Sequence, residues 1–204
     1  MNVQDIQASQ HRSTTPGVQI AELFTSRWSP RAMNGQPVSQ TQVNALVEAA
    51  RWAPSCFNAQ PWRFAAVLRD SDSWDSSFTT LLEGNQAWVN QAGALIAVIS
   101  RREYEHNGKP AATHQFDAGA AWMSLALQAQ AMGLVAHAMQ GFDPERARAV
   151  FAVPDLYDLP AMIAIGYPGD IDSLPAHYQD KEVPSGRKPL AEILFTNNFR
   201  ELDS

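Results

Sequence analysis

The clearest periodic pattern of apolar and polar residues lies between Ser39 and Ala53. Apolar residues recur there at i, i+3, i+4 and i+7, at Val43, Leu46, Val47 and Ala50, as on one face of a helix. Ser39 is followed three residues later by Gln42, which is the spacing of a capping box at a helix N-terminus. We therefore predict an amphipathic helix over 39–53, and a weaker pattern predicts a shorter helix over 18–24.

Short apolar runs along the chain predict the strands of a central sheet. They are apolar on both faces, as in strands buried between helices, and they cover 64–68, 94–100, 134–138 and 161–165. We predict helices between them: one or two over 71–93, one over 115–132 and one from Asp143-Pro144 to about 151. The helix predicted over 115–132 carries one line of apolar residues, Phe116, Ala120, Met123 and Leu127.

The periodic patterns end near Pro168, where the chain becomes rich in proline. The residues that follow still include apolar side chains, namely Leu190, Ile193, Leu194, Phe195 and Phe199. An exposed apolar tail of this kind favours packing on a partner subunit. We expect a single domain over 1–204, with a flexible segment over 1–17 and an extended, dimer-wrapping tail over 168–204.

The composition limits the classes of partner. The chain has 204 residues, of which 45% are hydrophobic and 18% charged, as in a globular domain with a substantial core. Its net charge of -6 argues against nucleic acid or an anionic membrane as the main partner, since both bind basic surfaces. The longest apolar run, 94–99, is too short to span a bilayer, and the N-terminus has no signal-peptide core, so we expect a cytoplasmic protein.

Few side chains mark a catalytic or metal site. The five histidines have no paired ligand spacing and the single cysteine forms no C-x-x-C pair, so no metal site is predicted. Cys56 is either a nucleophile or a small apolar wall residue, and the second interpretation is favoured because no local base accompanies it. Neither G-x-G-x-x-G nor G-x-x-x-x-G-K-[ST] occurs, so a nucleotide would have to be held in another way.

Two basic clusters stand out in this acidic chain. One contains Arg27, Ser29 and Arg31, and the other contains Arg187 and Lys188. A guanidinium group with a neighbouring hydroxyl is suited to binding phosphate. The alternative is that these residues are solvated surface charges.

Several stretches, in order, resemble the nitroreductase family of flavin enzymes. An R-x-S-x-R motif stands at 27–31, and an A-x-x-A-P-S-x-x-N-x-Q-P-W-x-F motif stands at 50–64. Further similar stretches begin at Gly84, Asp117, Met139, Pro160 and Gly186. The sequence departs from the family at Gly93, where proline is frequent, and at Ser185, where many relatives carry a basic residue.

The resemblance implies an α+β fold with a mixed sheet flanked by helices, in an intertwined homodimer with exchanged C-terminal segments. It also implies FMN at the dimer interface, NADH or NADPH as co-substrate, and a small-molecule electron acceptor such as a nitroaromatic or a quinone. The expected kinetics are ping-pong, and no catalytic residue is predicted, because the flavin itself accepts and donates hydride. A flavin-binding protein without turnover, or a specialised reaction such as dehalogenation or flavin breakdown, remains an alternative.

The resemblance also assigns cofactor-binding residues. It implies that Arg27, Ser29 and Arg187 bind the phosphate and ribityl chain, and that Arg31 lies near the pyrimidine edge of the flavin. It implies that the backbone of Trp28 contacts the flavin and that Asn85 reaches the pyrimidine or ribityl region. Gln140 and Gly141 are implied to lie beside N5. The residues implied to come from the other subunit are Pro54, Ser55, Cys56 and Asn58.

Overall fold

The computed structural model describes residues 1–5, 12 and 14–199. Its α-helices are α1 (Glu22–Ser26), α2 (Gln40–Arg51), α3 (Trp74–Phe78), α4 (Glu83–Val89), α5 (His114–Ala131), α6 (Pro144–Val150) and α7 (Ala176–Gln179). Its strands are β1 (Trp62–Leu68), β2 (Ala94–Arg101), β3 (Val135–Met139) and β4 (Tyr157–Gly166). Short 3-10 helices cover Cys56–Asn58, Ile171–Ser173 and Leu190–Glu192.

The predicted elements are present, and local signals explain where several of them begin. The Ser39 hydroxyl accepts a hydrogen bond from the Gln42 amide, and the Gln42 side chain accepts one from Ser39, which completes the capping box of α2. The Asp143 carboxylate accepts from the Arg146 amide at the start of α6. The helix predicted over 18–24 is shorter and lies later, at α1, which buries no residue.

The α+β class is confirmed, but the expectation of a mixed sheet is wrong for the four described strands. Their order is β1-β2-β4-β3, and each neighbouring pair is antiparallel. Strands β2 and β3, which α5 connects, run in the same direction, but β4 lies between them. Helix α5 therefore connects two strands that run in the same direction but are not neighbours in the sheet.

Apolar side chains cover both faces of the sheet. On one face, Leu46 of α2 and Leu125 of α5 pack in one cluster with Ile96 and Ile163. On the other, Trp88 of α4 packs in a second cluster with Leu95 and other residues of the sheet. The strands are therefore the middle layer of the molecule, as their two-sided apolar runs predict.

Helix α5 confirms the predicted helix, and its buried face differs from the line of apolar residues that begins at Phe116. The residues it buries are Asp117, Ala118, Ala121, Leu125, Ala126 and Ala129, whereas Phe116 is 80% exposed. The helix is apolar on nearly every side, so periodicity alone does not identify its inner face. Of the line that begins at Phe116, the other three residues, Ala120, Met123 and Leu127, are half-buried in the single chain.

The first residues of the chain are bound to the beginning of the tail. The Val3 amide donates to the Gly169 carbonyl, and the Val3 side chain is fully buried in the second cluster. Most of the remaining segment expected to be flexible, residues 6–11 and 13, lies outside the described residues. Among the described residues, no helix combines the length and apolar character needed to cross a membrane.

Candidate functional site

The R-x-S-x-R loop between α1 and α2 carries the first group of predicted site residues. Arg27 Nη1 donates to the Ser29 hydroxyl at 3.2 Å. The Arg27 Nε and Trp28 Nε1 atoms are buried and have no hydrogen-bond partner among the described residues. Buried polar nitrogens without partners are costly in a folded protein, so these donors fit a polar ligand.

Two more arginines lie beside Arg27. Burial lowers the pKa of Arg27, and the positive charge of Arg187 lowers it further. Burial also lowers the pKa of Arg12, and the positive charges of Arg187 and Arg27 lower it further. Like charges disfavour one another's charged form, so an anion is the complementary ligand for this group of three arginines.

Arg187 comes to this group from the C-terminal tail. Within the described parts of the chain, its Nη1 atom donates to its own turn, to the carbonyls of Ser185 at 3.0 Å and Gly186 at 2.9 Å and to the Ser185 hydroxyl at 3.2 Å. The structure therefore brings together Arg27, Ser29 and Arg187, which the family resemblance implies bind the phosphate and ribityl chain. It also adds Arg12, which no sequence signal marks.

Arg31 of the same loop is paired in a different way. Its Nη1 atom lies 3.3 Å from Glu182 Oε2, and its guanidinium group stacks over the Tyr178 ring at 5.2 Å. Glu182 is fully buried and also accepts hydrogen bonds from the Arg31 amide and, at 2.8 Å, from the Ala32 amide. This carboxylate fixes the end of the loop.

His137 of β3 contacts the R-x-S-x-R loop. Its Nδ1 atom donates to the Pro30 carbonyl at 3.1 Å, and its ring lies 4.6 Å from the Trp88 ring. Burial is the main cause that lowers the pKa of His137 to about 4, so the imidazole is neutral near pH 7. No local sequence pattern marks His137 or Glu182, because their partners are distant in the chain.

A second group lies where β3 ends. The Asn85 side chain donates to the Gly141 carbonyl at 2.9 Å, and the Leu82 amide donates to the same oxygen at 3.0 Å. A Cβ at Gly141 would come within 2.5 Å of Asn85 Nδ2. Asn85, Gln140 and Gly141 are therefore adjacent. Strand β3 connects this group to the R-x-S-x-R loop, because His137 of β3 contacts that loop.

The third group is the turn after α2. Phe57, Asn58 and Gln60 all have positive φ, at 53°, 53° and 47°, which is unfavourable for residues other than glycine. The Ser55 hydroxyl accepts from the Gln60 amide at 3.0 Å, and Asp117 of α5 accepts from the Cys56 amide at 3.2 Å. The turn is thus held in one conformation.

Cys56 lies on this turn against Tyr104, whose hydroxyl donates to Cys56 Sγ at 3.4 Å. That contact is the main cause that raises the pKa of Tyr104. No hydrogen bond among the described residues links Pro54, Ser55, Cys56 or Asn58 to the first two groups. Within one chain, the predicted site residues therefore form two parts, one around the arginines and β3 and one on this turn.

Comparison with known proteins agrees with the resemblance. The model of the nitroreductase family matches residues 24–75 and 72–167. An NADH dehydrogenase of Thermus thermophilus is 31% identical, and the match covers 89% of this chain and 98% of that protein. The match therefore extends over nearly the whole length of both proteins.

Two solved structures extend the comparison. The crystal structure of an oxidoreductase containing FMN is 40% identical, with a TM-score of 0.89 over 95% of this chain and 99% of that one. A nitroreductase-like protein of Desulfovibrio desulfuricans, in complex with FMN, is 25% identical, with a TM-score of 0.68 over 92% of this chain and all of that one. With the family match and the relative above, they establish that the chain belongs to the nitroreductase family.

Proposed function

We propose that the protein binds FMN, takes hydride from NADH or NADPH and passes it to a small acceptor such as a nitroaromatic or a quinone. The observation that carries this proposal is the group of arginines around Arg27, in which Arg27 Nε and Arg12 Nη2 are buried without a partner among the described residues. An FMN phosphate is a dianion with three acceptor oxygens near neutral pH. It matches both the charge and the donors of this group, and FMN supplies the hydride chemistry when bound.

The chain's own residues would bind and orient the cofactor. Arg27, Ser29 and Arg187 hold the phosphate and ribityl chain, and the backbone of Trp28 follows the same path. Asn85, Gln140 and Gly141 line the edge of the ring beyond β3. Arg31 supplies a positive charge near the pyrimidine edge, with its position set by Glu182.

The turn of Pro54, Ser55, Cys56 and Asn58 would complete the site of a second subunit. It has no hydrogen bond to its own chain's arginine group, yet it is held rigidly by Ser55 and Asp117. Phe57 on the turn is 83% exposed. Phe116, at the start of the helix that carries Asp117, is 80% exposed, and large apolar side chains of this kind are typical of an interface.

The outward face of α5 and the tail support a homodimer in the same way. Along the tail, Ile193 and Leu194 are each 61% exposed and Phe199 is 75% exposed. We propose that the tail over 168–204, of which 200–204 lie outside the described residues, wraps the partner and that both flavin sites lie at the dimer interface. The donor would leave before the acceptor enters, because both would use one binding site, and this order would give ping-pong kinetics.

Steady-state kinetics test this function. Purified protein loaded with FMN is mixed with NADH or NADPH and with menadione or nitrofurazone as acceptor. We expect acceptor-dependent oxidation of the nucleotide, with parallel lines in double-reciprocal plots. Bound FMN with background oxidation for both nucleotides and both acceptors would instead indicate a binding protein without turnover or a more specialised flavin enzyme.

A further inference from the structure

Arg12 is the part of the arginine group that the motifs do not include. It precedes the R-x-S-x-R motif by fifteen positions and lies in a polar stretch without periodicity. Its Nη2 atom is nevertheless buried and has no hydrogen-bond partner among the described residues. A solvated surface arginine keeps its guanidinium nitrogens in water, so Arg12 is not explained as a surface charge.

Among the described residues, the charges that act on Arg12 are those of Arg187 and Arg27, and both are positive. No salt bridge among the described residues includes Arg12, Arg27 or Arg187. Desolvation and the mutual repulsion of these residues lower the pKa of both Arg12 and Arg27. Three uncompensated guanidinium groups in a chain of net charge -6 disfavour each other unless an anion lies between them.

A dianionic phosphate offers more acceptor sites than one arginine can use. Arg27 already directs one nitrogen to Ser29, and Arg187 directs Nη1 to its own turn. The Arg12 Nη2 atom adds a second buried donor beside Arg27 Nε, and neither has a partner among the described residues. Charge-assisted hydrogen bonds from guanidinium to phosphate are among the strongest in proteins.

We propose that Arg12 is a third phosphate-binding arginine of this protein, beside Arg27 and Arg187, and that it selects phosphorylated flavin over riboflavin. This inference rests on the proposed function, since the phosphate is that of FMN. It also gives the N-terminal segment a role in the site. Arg12 contributes only to the phosphate end of the cofactor and leaves the ring to other residues.

The test compares two ligands that differ only in the phosphate. Apoprotein is titrated with FMN and with riboflavin, and binding is followed by quenching of flavin fluorescence. In Arg12→Ala we expect the Kd for FMN to rise about tenfold or more and the Kd for riboflavin to stay as in the wild type. Arg12→Lys should lie between the two, because it keeps the charge but loses the planar fork.

Arg146→Ala is the matched control, because Arg146 is an exposed arginine whose side chain donates to Thr79. Its two dissociation constants should equal those of the wild type. Inorganic phosphate gives a second measurement: it should compete with FMN in the wild type and compete less well in Arg12→Ala.

The outcomes are distinguishable from failure of the proposed function. Unchanged FMN affinity in Arg12→Ala, with weakened affinity in Arg27→Ala, overturns the role of Arg12 and leaves FMN binding intact. Equal losses for FMN and riboflavin also overturn it, since they indicate a general structural effect. If the wild type binds neither flavin, the proposed function itself is wrong.

Discussion

Glu182 and Arg31, which are 151 residues apart in sequence, form a buried ion pair at the end of the R-x-S-x-R loop. The Arg31 side chain is 28% exposed, whereas the Glu182 side chain is fully buried. Both oxygens of the carboxylate are used, one by Arg31 Nη1 and the other by the amides of Arg31 and Ala32. The segment around α7 is thereby fastened to the loop that carries the predicted phosphate ligands.

Removing this carboxylate should destabilise the protein strongly. We expect Glu182→Ala to lower the free energy of unfolding by about 3 kcal/mol, because one partner of a buried pair and two amides lose their acceptor. Glu182→Gln should cost less, since it keeps an acceptor oxygen. Urea unfolding measures both, with Glu48→Ala as control because Glu48 forms an exposed pair with Arg51 and such pairs contribute little to stability. Equal effects of Glu182→Ala and Glu48→Ala would contradict this account.

His137 should make stability depend on pH. Its pKa falls from 6.5 to about 4 in the folded chain, so between these values the unfolded chain holds a proton that the folded chain does not. Stability is therefore full above about pH 6.5 and decreases as the pH falls toward about 4, by up to about 3 kcal/mol. Urea unfolding at about pH 7 and about pH 4.5 measures the loss.

His137→Asn is the matched variant for that experiment. The Asn amide nitrogen takes the place of Nδ1 as a donor toward the Pro30 carbonyl but does not titrate in this range. The difference in stability between wild type and variant should change with pH in the direction given above. A pH profile identical in the two proteins would exclude His137 as its source.

Gly93 has a steric reason to be glycine. A Cβ there would lie 2.7 Å from the Gln36 carbonyl oxygen and 2.9 Å from the Val38 amide nitrogen, both of which are backbone atoms. We expect Gly93→Ala to lower the melting temperature clearly, with a loss of about 1–3 kcal/mol from overpacking. Gly186→Ala is the control, because nothing lies within 4 Å of its Cβ. Similar melting temperatures for the two variants would show that the backbone around Gly93 shifts to accommodate the methyl group without loss of stability.

The tail should be needed for the dimer. Changing both Ile193 and Leu194 to Asp places charges on side chains that are each 61% exposed in the single chain, so the folded monomer should tolerate them. We expect the double variant to sediment as a monomer at concentrations where the wild type is a dimer. Val150→Asp, on the exposed end of α6, should remain dimeric. A double variant that stays dimeric would place the interface elsewhere.

Local signals in the sequence predict most of the fold but only part of the site. Helix α2 is predictable because its cap and its apolar face lie within one short stretch. The sheet order is not, since nothing local indicates that β4 inserts between β2 and β3. For α5, apolar residues on nearly every side conceal which face packs inward.

The same distinction applies to the functional residues. Arg27 and Ser29 lie in one short motif, so their types and spacing are enough to indicate a phosphate site. Glu182, His137 and Arg12 act on that loop from distant parts of the chain, and none lies in a pattern of its own. Their roles follow only from the contacts that folding creates.

The most direct test of the FMN assignment is the visible spectrum of the protein under anaerobic conditions. Apoprotein is saturated with FMN, freed of excess cofactor and then mixed with NADH or NADPH. We predict that the wild type retains FMN and that its absorbance bleaches on addition of nucleotide, whereas Arg27→Ala retains less FMN. A wild-type protein that retains no FMN, or whose bound FMN neither nucleotide reduces, would contradict the account.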